Sequence, residues 1–467
     1  MSATALPWPA WARPPQSGIA STAILLFVWL LPFHALLIAA LVGSGAAPFD
    51  TIRMIAAWKE LALLMLVVWA AARAVLGRGP GVAVTAVDWL VAGLISLAVV
   101  FLFVENTLLR LGIPAGMALY GFRDTVFFML LYFVGRGTPE LAVNGTVLRH
   151  IFLMGVVISV IGIVERIFVT PDMLVLLGVA SYINDFLGMS AFTEGNEWGL
   201  PQNYWSILGG AAVQRAGSVF LHSQGFALPF LLLMPAAMAW GLGRRRHRPA
   251  LIRMGYVVLW AGLLVTITRM TILTCFVQVA LFYAMIRRPD WALGSVVAAL
   301  AAFGAAMALV PGLATFVWDT LTWQTGSSVS HVKDWTKGLI AFLEQPWGYG
   351  LGASEAVAIR FGLPPISADN LFLAYGTQLG VLGLAGVVAA LLAILNTGWR
   401  VFRTADDEDL RRFGAAVALA ALGILLNGST SSIFSSTLLA YLFFLLAGAT
   451  VSIAQTSGIR AVRPRRR

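Results

Sequence analysis

Two arginines stand where an anionic ligand could be held. Arg215 lies in Gln214-Arg-Ala-Gly-Ser218, just before an apolar stretch that starts near Gly225. Arg269 lies in Thr266-Ile-Thr-Arg-Met-Thr271, at the tip of a tight turn between two apolar stretches. A guanidinium is planar and always charged, and its fork of N–H groups binds phosphate oxygens two at a time. A pair of them could clamp a diphosphate. The plainer reading is that each side chain anchors its helix among lipid headgroups.

A second group is spread over Ser327-Ser-Val-Ser-His-Val-Lys-Asp-Trp-Thr-Lys337, Pro346-Trp-Gly-Tyr-Gly-Leu-Gly352 and Ser367-Ala-Asp-Asn-Leu371. If the first part is helical, Lys333 and Lys337 share a face at i, i+4, and His331 lies with Asp334 and Trp335 on another. His331 is then a candidate acid/base group with the two lysines in support, or all of them belong to a solvated helix with local ion pairs. The alternating glycines let backbone approach a ligand or another helix, or make an ordinary turn. Asp369 and Asn370 open an apolar stretch. A carboxylate there could act as general base or hold a sugar hydroxyl, and it could equally cap the helix. Two adjacent pairs, Glu165 with Arg166 and Arg123 with Asp124, lie in or beside apolar stretches and are expected to neutralise each other.

The elements that must position these groups follow from composition. Of 467 residues, 59% are hydrophobic and 11% charged, and mean hydropathy is +0.86. A soluble chain carries about 25% charged residues. Apolar surface on this scale is buried in lipid, where backbone polar groups must be satisfied internally. The near-continuous stretches Ile24 to Val42 and Leu379 to Leu395 select helices over a barrel. The expected fold is all-α, a single polytopic membrane bundle over 1–467. A window of about 20 residues gives roughly twelve spans, centred near Val28, Leu66, Leu94, Phe127, Val157, Leu232, Trp260, Val277, Leu300, Ala385, Leu419 and Phe443. The first follows a Trp- and Pro-rich segment and is too long for a cleaved signal peptide, so it is expected to be a retained anchor. The 46 glycines suggest close helix packing. The single Cys275 is expected to pack as a small apolar residue.

The net charge of +10 reports topology rather than nucleic acid. With the N-terminus cytoplasmic and twelve alternating spans, 21 of the 31 basic residues fall inside, among them Arg136, the Arg244/Arg245/Arg246/Arg248/Arg253 cluster and the tail arginines Arg460, Arg463, Arg465, Arg466 and Arg467. Arg53, Lys59, Arg110, Arg215, Arg269, Lys333, Lys337 and Arg360 fall outside. Both termini are then cytoplasmic. Two long segments, 170–223 and 312–368, fall on the outer face. Met173 to Met189 could lie along the membrane surface. Both segments are rich in tryptophan, with Trp198, Trp205, Trp318, Trp323, Trp335 and Trp347, which argues for order. The sequence has no nucleotide-binding glycine loop, paired-cysteine spacing or nucleophile elbow. No cofactor, metal or nucleic acid is expected.

The order Arg215-Ala-Gly-Ser-Val-Phe220 before a span, Thr268-Arg269 at the next outer turn, Trp335, Pro346-x-Gly-x-Gly350, and Asp369-Asn370 followed by nine residues and Gly380-Val-Leu-Gly383 resembles the O-antigen ligase and polysaccharide polymerase superfamily. The resemblance covers about Val160 to Leu395. It implies a glycosyltransferase at the outer face of the bacterial inner membrane, working with flippase and chain-length regulator partners. Such enzymes take a glycan from undecaprenyl diphosphate and pass it to an acceptor hydroxyl, with the lipid diphosphate as leaving group. By similarity Arg215 and Arg269 would bind the diphosphate and Asp369 and His331 would act as catalytic groups, with Asn370, Lys333 and Lys337 in support. Ligases of the superfamily have a His where Asp369 stands, and many members have an Arg where His331 stands. The first departure leans toward a polymerase, with a ligase acting on lipid A core as the rival, and the second puts His331 in line for a binding or acid/base role. A secondary transporter is a third class, against which the lack of visible repeat symmetry counts.

Overall fold

The computed structural model describes residues 19–76, 83–104, 112–189, 191–192, 196–208, 211–241, 249–286, 288–309, 312–322, 324, 326–366 and 369–462. Several residues behind the expected orientation, including Arg110, Arg244 to Arg246, Arg248, Arg463 and Arg465 to Arg467, lie outside them, as do Ser367 and Ala368 of the last motif.

Helices make up nearly all of the regular structure. Among the described residues eight are long and apolar enough to cross a membrane, and nine if the bent pair Ala115–Thr125 and Phe127–Gly137, which meet at 45°, counts as one span. All twelve expected centres fall on helices. Three fall short of a span by length and composition: Ala250–Leu264 and Arg269–Met285 are shorter than the roughly 20 residues a bilayer needs, and Glu408–Asn427 opens with four charges in five residues.

The segments expected as outer loops are folded. Residues 170–223 hold a short helix, Pro171–Leu176, capped by Thr170, and an antiparallel hairpin in which Trp205 faces Gln214 and Leu208 faces Ala211. Residues 312–368 hold the helices Leu313–Leu321, Gly326–Glu344 and Glu355–Arg360.

Glycine sets the closest helix contacts. A Cβ at Gly448 would collide with the carbonyl oxygen of Tyr132, and one at Gly135 with that of Leu445. Small residues at such crossings let backbones approach within van der Waals range, the usual device of helix pairs in lipid. Cys275 is buried as expected.

The Pro346–Gly352 turn docks on a helix. Helix Leu371–Thr404 breaks at Gly380, with φ 68° and ψ −163°. The turn fills the break: Tyr349 N–H donates to Thr377 O at 2.7 Å, Gly350 N–H to Gln378 O at 3.1 Å, and Val381 N–H to Pro346 O at 2.8 Å. Gly348 has φ 96°, and a Cβ there would lie 2.6 Å from Gln378 O. The helix-contact reading of the alternating glycines therefore holds. The contact satisfies backbone groups that the break would leave bare.

Candidate functional site

A cavity of about 2400 Å³ opens among these elements. It is lined by Arg215, Arg269, His331 and Asp369, four groups far apart in sequence, and by Trp335. Lys333 and Lys337 lie on the other face of the Gly326–Glu344 helix and line a separate shallow groove, where Lys337 Nζ donates to Pro365 O at 2.6 Å. The i, i+4 separation expected of that helix is thus present, and it keeps the two lysines away from the cavity.

Arg215 is held by backbone on both sides. Its N–H donates to Tyr204 O at 2.8 Å, and the next N–H, of Ala216, donates to Val265 O at 3.0 Å. The guanidinium then reaches the turn that carries Arg269: Nε donates to Thr266 O at 2.8 Å and Nη2 to Thr268 Oγ1 at 2.9 Å. Both partners are neutral, so the charge is positioned without being cancelled. Burial, and after it the charge of Arg269, pulls the Arg215 pKa down to about 10. Two like charges kept close in a partly buried site attract an anion strongly. Arg269 opens the helix Arg269–Met285 and donates through Nη1 to Thr320 Oγ1.

His222 sits beside this pair. Burial, and after it the charge of Arg215, lowers its pKa to about 4, so the ring is neutral near pH 7. Its Nδ1 accepts from Gly225 N–H at 3.0 Å, which caps the helix that follows.

At another part of the wall His331 Nδ1 lies 3.9 Å from Asp369 Oδ2. Nδ1 is buried and has no hydrogen-bond partner among the described residues. Asn370 takes the capping role, its side-chain oxygen accepting from Leu373 N–H at 3.0 Å. Asp369 is thereby released from capping. Burial raises its pKa, His331 opposes that, Asp334 adds to it, and a hydrogen bond from Gln224 opposes it. A carboxylate above its usual range is a better proton acceptor when ionised.

Backbone strain gathers here too. Among the described residues the non-glycine positions with positive φ are Ser218, Leu221, Ile267 and Asp369. The last three line the cavity. Such conformations cost about 1 to 3 kcal/mol each and persist where the surroundings impose them.

Three features go beyond the site residues expected from sequence. One is a hydroxyl-rich wall, with Thr430, Ser431, Ser432, Ser435 and Ser436, whose signal is a Ser/Thr run between two apolar stretches. The second is Glu165. Its expected partner was Arg166, but it accepts instead from the N–H groups of Gly217, at 3.1 Å, and Ser218. Arg123 and Asp124 do pair, at 2.7 Å. They belong to the third feature, a cluster with Lys59, Glu60 and Arg360 that lines another part of the same cavity.

Residues 254–388 match the family model described as O-Antigen ligase. The stretch contains Arg269, His331, Trp335, the Pro346–Gly352 turn, Arg360 and Asp369, and the match supports the superfamily that the motifs resemble. Arg215, Lys59 and Arg123 lie outside it. No curated protein matches the chain.

Proposed function

We propose that the chain is a membrane glycosyltransferase that polymerises undecaprenyl-diphosphate-linked repeat units of an O-antigen or exopolysaccharide at the outer face of the bacterial inner membrane. The family match supports an O-antigen ligase or polymerase type of membrane function. The observation that carries the finer reading is the reach of the Arg215 guanidinium onto the turn that carries Arg269, in a cavity that also holds Asp369 and His331.

In this reading the two guanidiniums hold the diphosphate of the donor. Asp369 accepts the proton of an acceptor hydroxyl, whose oxygen attacks the anomeric carbon. The bond from that carbon to the diphosphate oxygen breaks, and undecaprenyl diphosphate leaves with the electron pair. Negative charge grows on the leaving oxygens as the bond breaks, and Arg215 and Arg269 are already in place to stabilise it. His331 sits beside Asp369 to orient it or the hydroxyl. One feature favours a polymerase over a ligase, the carboxylate at 369. The outward position of the cavity, the cytoplasmic termini, and work alongside a flippase and a chain-length regulator are parts of the same proposal.

The test is a deletion strain complemented with wild-type or variant chain. Loss of long polymer, with single repeat units still reaching lipid A core, supports the polymerase. Long polymer stranded on its carrier with bare lipid A core would make it a ligase, and coupled uptake by purified protein in vesicles would make it a transporter.

A further inference from the structure

The Lys59, Glu60, Arg123, Asp124 and Arg360 cluster lines the cavity that holds the arginine pair, yet its chemistry is different. Lys59 Nζ lies 3.1 Å from Glu60 Oε1, Arg123 Nε lies 2.7 Å from Asp124 Oδ1 and 3.9 Å from Glu60 Oε1. Three cations and two carboxylates leave the cluster close to neutral. The carboxylates would repel a phosphate here, whereas Arg215 meets only neutral partners.

Among the described residues three polar atoms of the cluster have no hydrogen-bond partner: Glu60 Oε1, which has the ion pair with Lys59, and, with no ion pair, Glu60 Oε2, an acceptor, and Arg360 Nε, a donor, all three buried. Buried polar atoms are nearly always paired, so an orphan donor and an orphan acceptor on one cavity call for a ligand that can serve both. Sugar hydroxyls donate and accept at once. The rings of Tyr120 and Phe361, 6.0 Å apart, add apolar surface against which the C–H face of a sugar ring can pack. Tyr120 is fixed by the Arg123 guanidinium, 4.8 Å from its ring centre.

We infer that this end of the cavity is the acceptor subsite, in which Glu60 and Arg360 hold hydroxyl groups of the incoming glycan while the arginine pair holds the donor. The inference rests on the glycosyltransferase reading, because it assigns the second substrate of that reaction. What it binds is the carbohydrate part of the acceptor, so a glycan released from its lipid diphosphate is a fair probe of it. Buried ionisable groups are costly to keep, and substrate binding gives them a use that ion pairing alone does not.

The experiment uses the full chain in lipid nanodiscs and, as probe, the oligosaccharide repeat released by mild acid from the lipid-linked pool of the source cells. Binding is read by saturation-transfer NMR, and turnover of intact lipid-linked glycan is followed in parallel. The fragment should bind wild type and Arg215→Ala alike, and about tenfold or more weakly to Glu60→Ala and Arg360→Ala, which lose a charged hydrogen bond each. Glu60→Gln and Arg360→Lys keep part of that bonding and should fall in between, which guards against variants that fail to insert. Fragment binding that is absent from wild type, or unchanged in correctly inserted Glu60→Ala and Arg360→Ala, overturns the subsite. Failure of the transferase reading shows separately, as wild-type protein that binds the fragment but never turns over lipid-linked glycan.

Discussion

Glu165 holds Ser218 by its backbone. One carboxylate oxygen accepts the Ser218 N–H and the other the Gly217 N–H, while Ser218 Oγ donates to Ile158 O at 2.7 Å on the same helix. Ser218 has φ 51°, a left-handed conformation that needs such support. The turn begins two residues after Arg215, so a buried carboxylate on the Thr146–Phe168 helix fixes the exit of the segment that aims the guanidinium. Glu165 is a positioning residue.

Glu165→Leu should therefore strand two buried N–H groups at about 1 to 3 kcal/mol each. The thermal midpoint should fall, and the donor KM should rise more than kcat falls in whatever protein remains folded. Glu165→Gln, which keeps one acceptor, should recover part of both. A kcat loss at unchanged KM and unchanged stability would point instead to direct chemistry by Glu165.

Removing a guanidinium from the clamp should cost more. Single Arg215→Ala and Arg269→Ala variants should lose about 10²- to 10³-fold in kcat/KM, the usual effect of deleting one stabiliser of transition-state charge. The double variant should fall short of the product of the two losses, because both groups act on one leaving diphosphate. Normal polymer length from either single variant at wild-type protein levels would remove the clamp from the mechanism.

If the two arginines supply that stabilisation, divalent metal is dispensable. Turnover by purified protein should survive EDTA to within about twofold and should not rise with added Mg²⁺. A collapse restored by one particular cation would assign the charge stabilisation to a metal instead.

How far the sequence announced this arrangement depended on the kind of signal. Apolar continuity marked every helix among the described residues that is long and apolar enough to span, because burial in lipid leaves little freedom in composition. Arg215 and Arg269 were legible as isolated cations beside apolar stretches. The division of the Gly326–Glu344 helix into a His331/Trp335 face and a Lys333/Lys337 face followed from helical spacing. What spacing could not say is which face meets the cavity, and so Lys333 and Lys337 were expected as supports that the fold turns away. Glu60 and Arg360 are 300 positions apart and carry no local pattern. Their meeting is a product of tertiary packing, as is the bond from Glu165 to the turn after Arg215.

Gly348→Ala probes the scaffold rather than the chemistry. The methyl group would meet Gln378 O at 2.6 Å in a backbone conformation of φ 96° that alanine resists. Backbone cannot yield there without undoing the bonds that fill the break at Gly380. We expect a loss of several kcal/mol in stability and poor accumulation in the membrane. Gly45→Ala, which has positive φ but open space around it, should cost only about 1 kcal/mol. Equal effects of the two would mean that the docking contact is absent in the membrane.

The environment of Asp369 makes a prediction in which two neighbours pull in opposite directions. Its pKa is raised, first by burial and further by Asp334, while His331 lowers it. The base must be ionised to accept a proton, so activity should be lost as pH falls through this raised pKa, at a pH above the ordinary Asp value of about 3.9. Asp334→Asn removes a like charge and should move the acid limb of kcat/KM to lower pH. His331→Gln removes the group that favours the ionised form and should move the limb to higher pH, with whatever rate His331 itself contributes also lost. Asp369→Asn should abolish turnover at every pH. If the limb stays in place in both Asp334→Asn and His331→Gln, the titrating group is not Asp369, and another residue takes the proton.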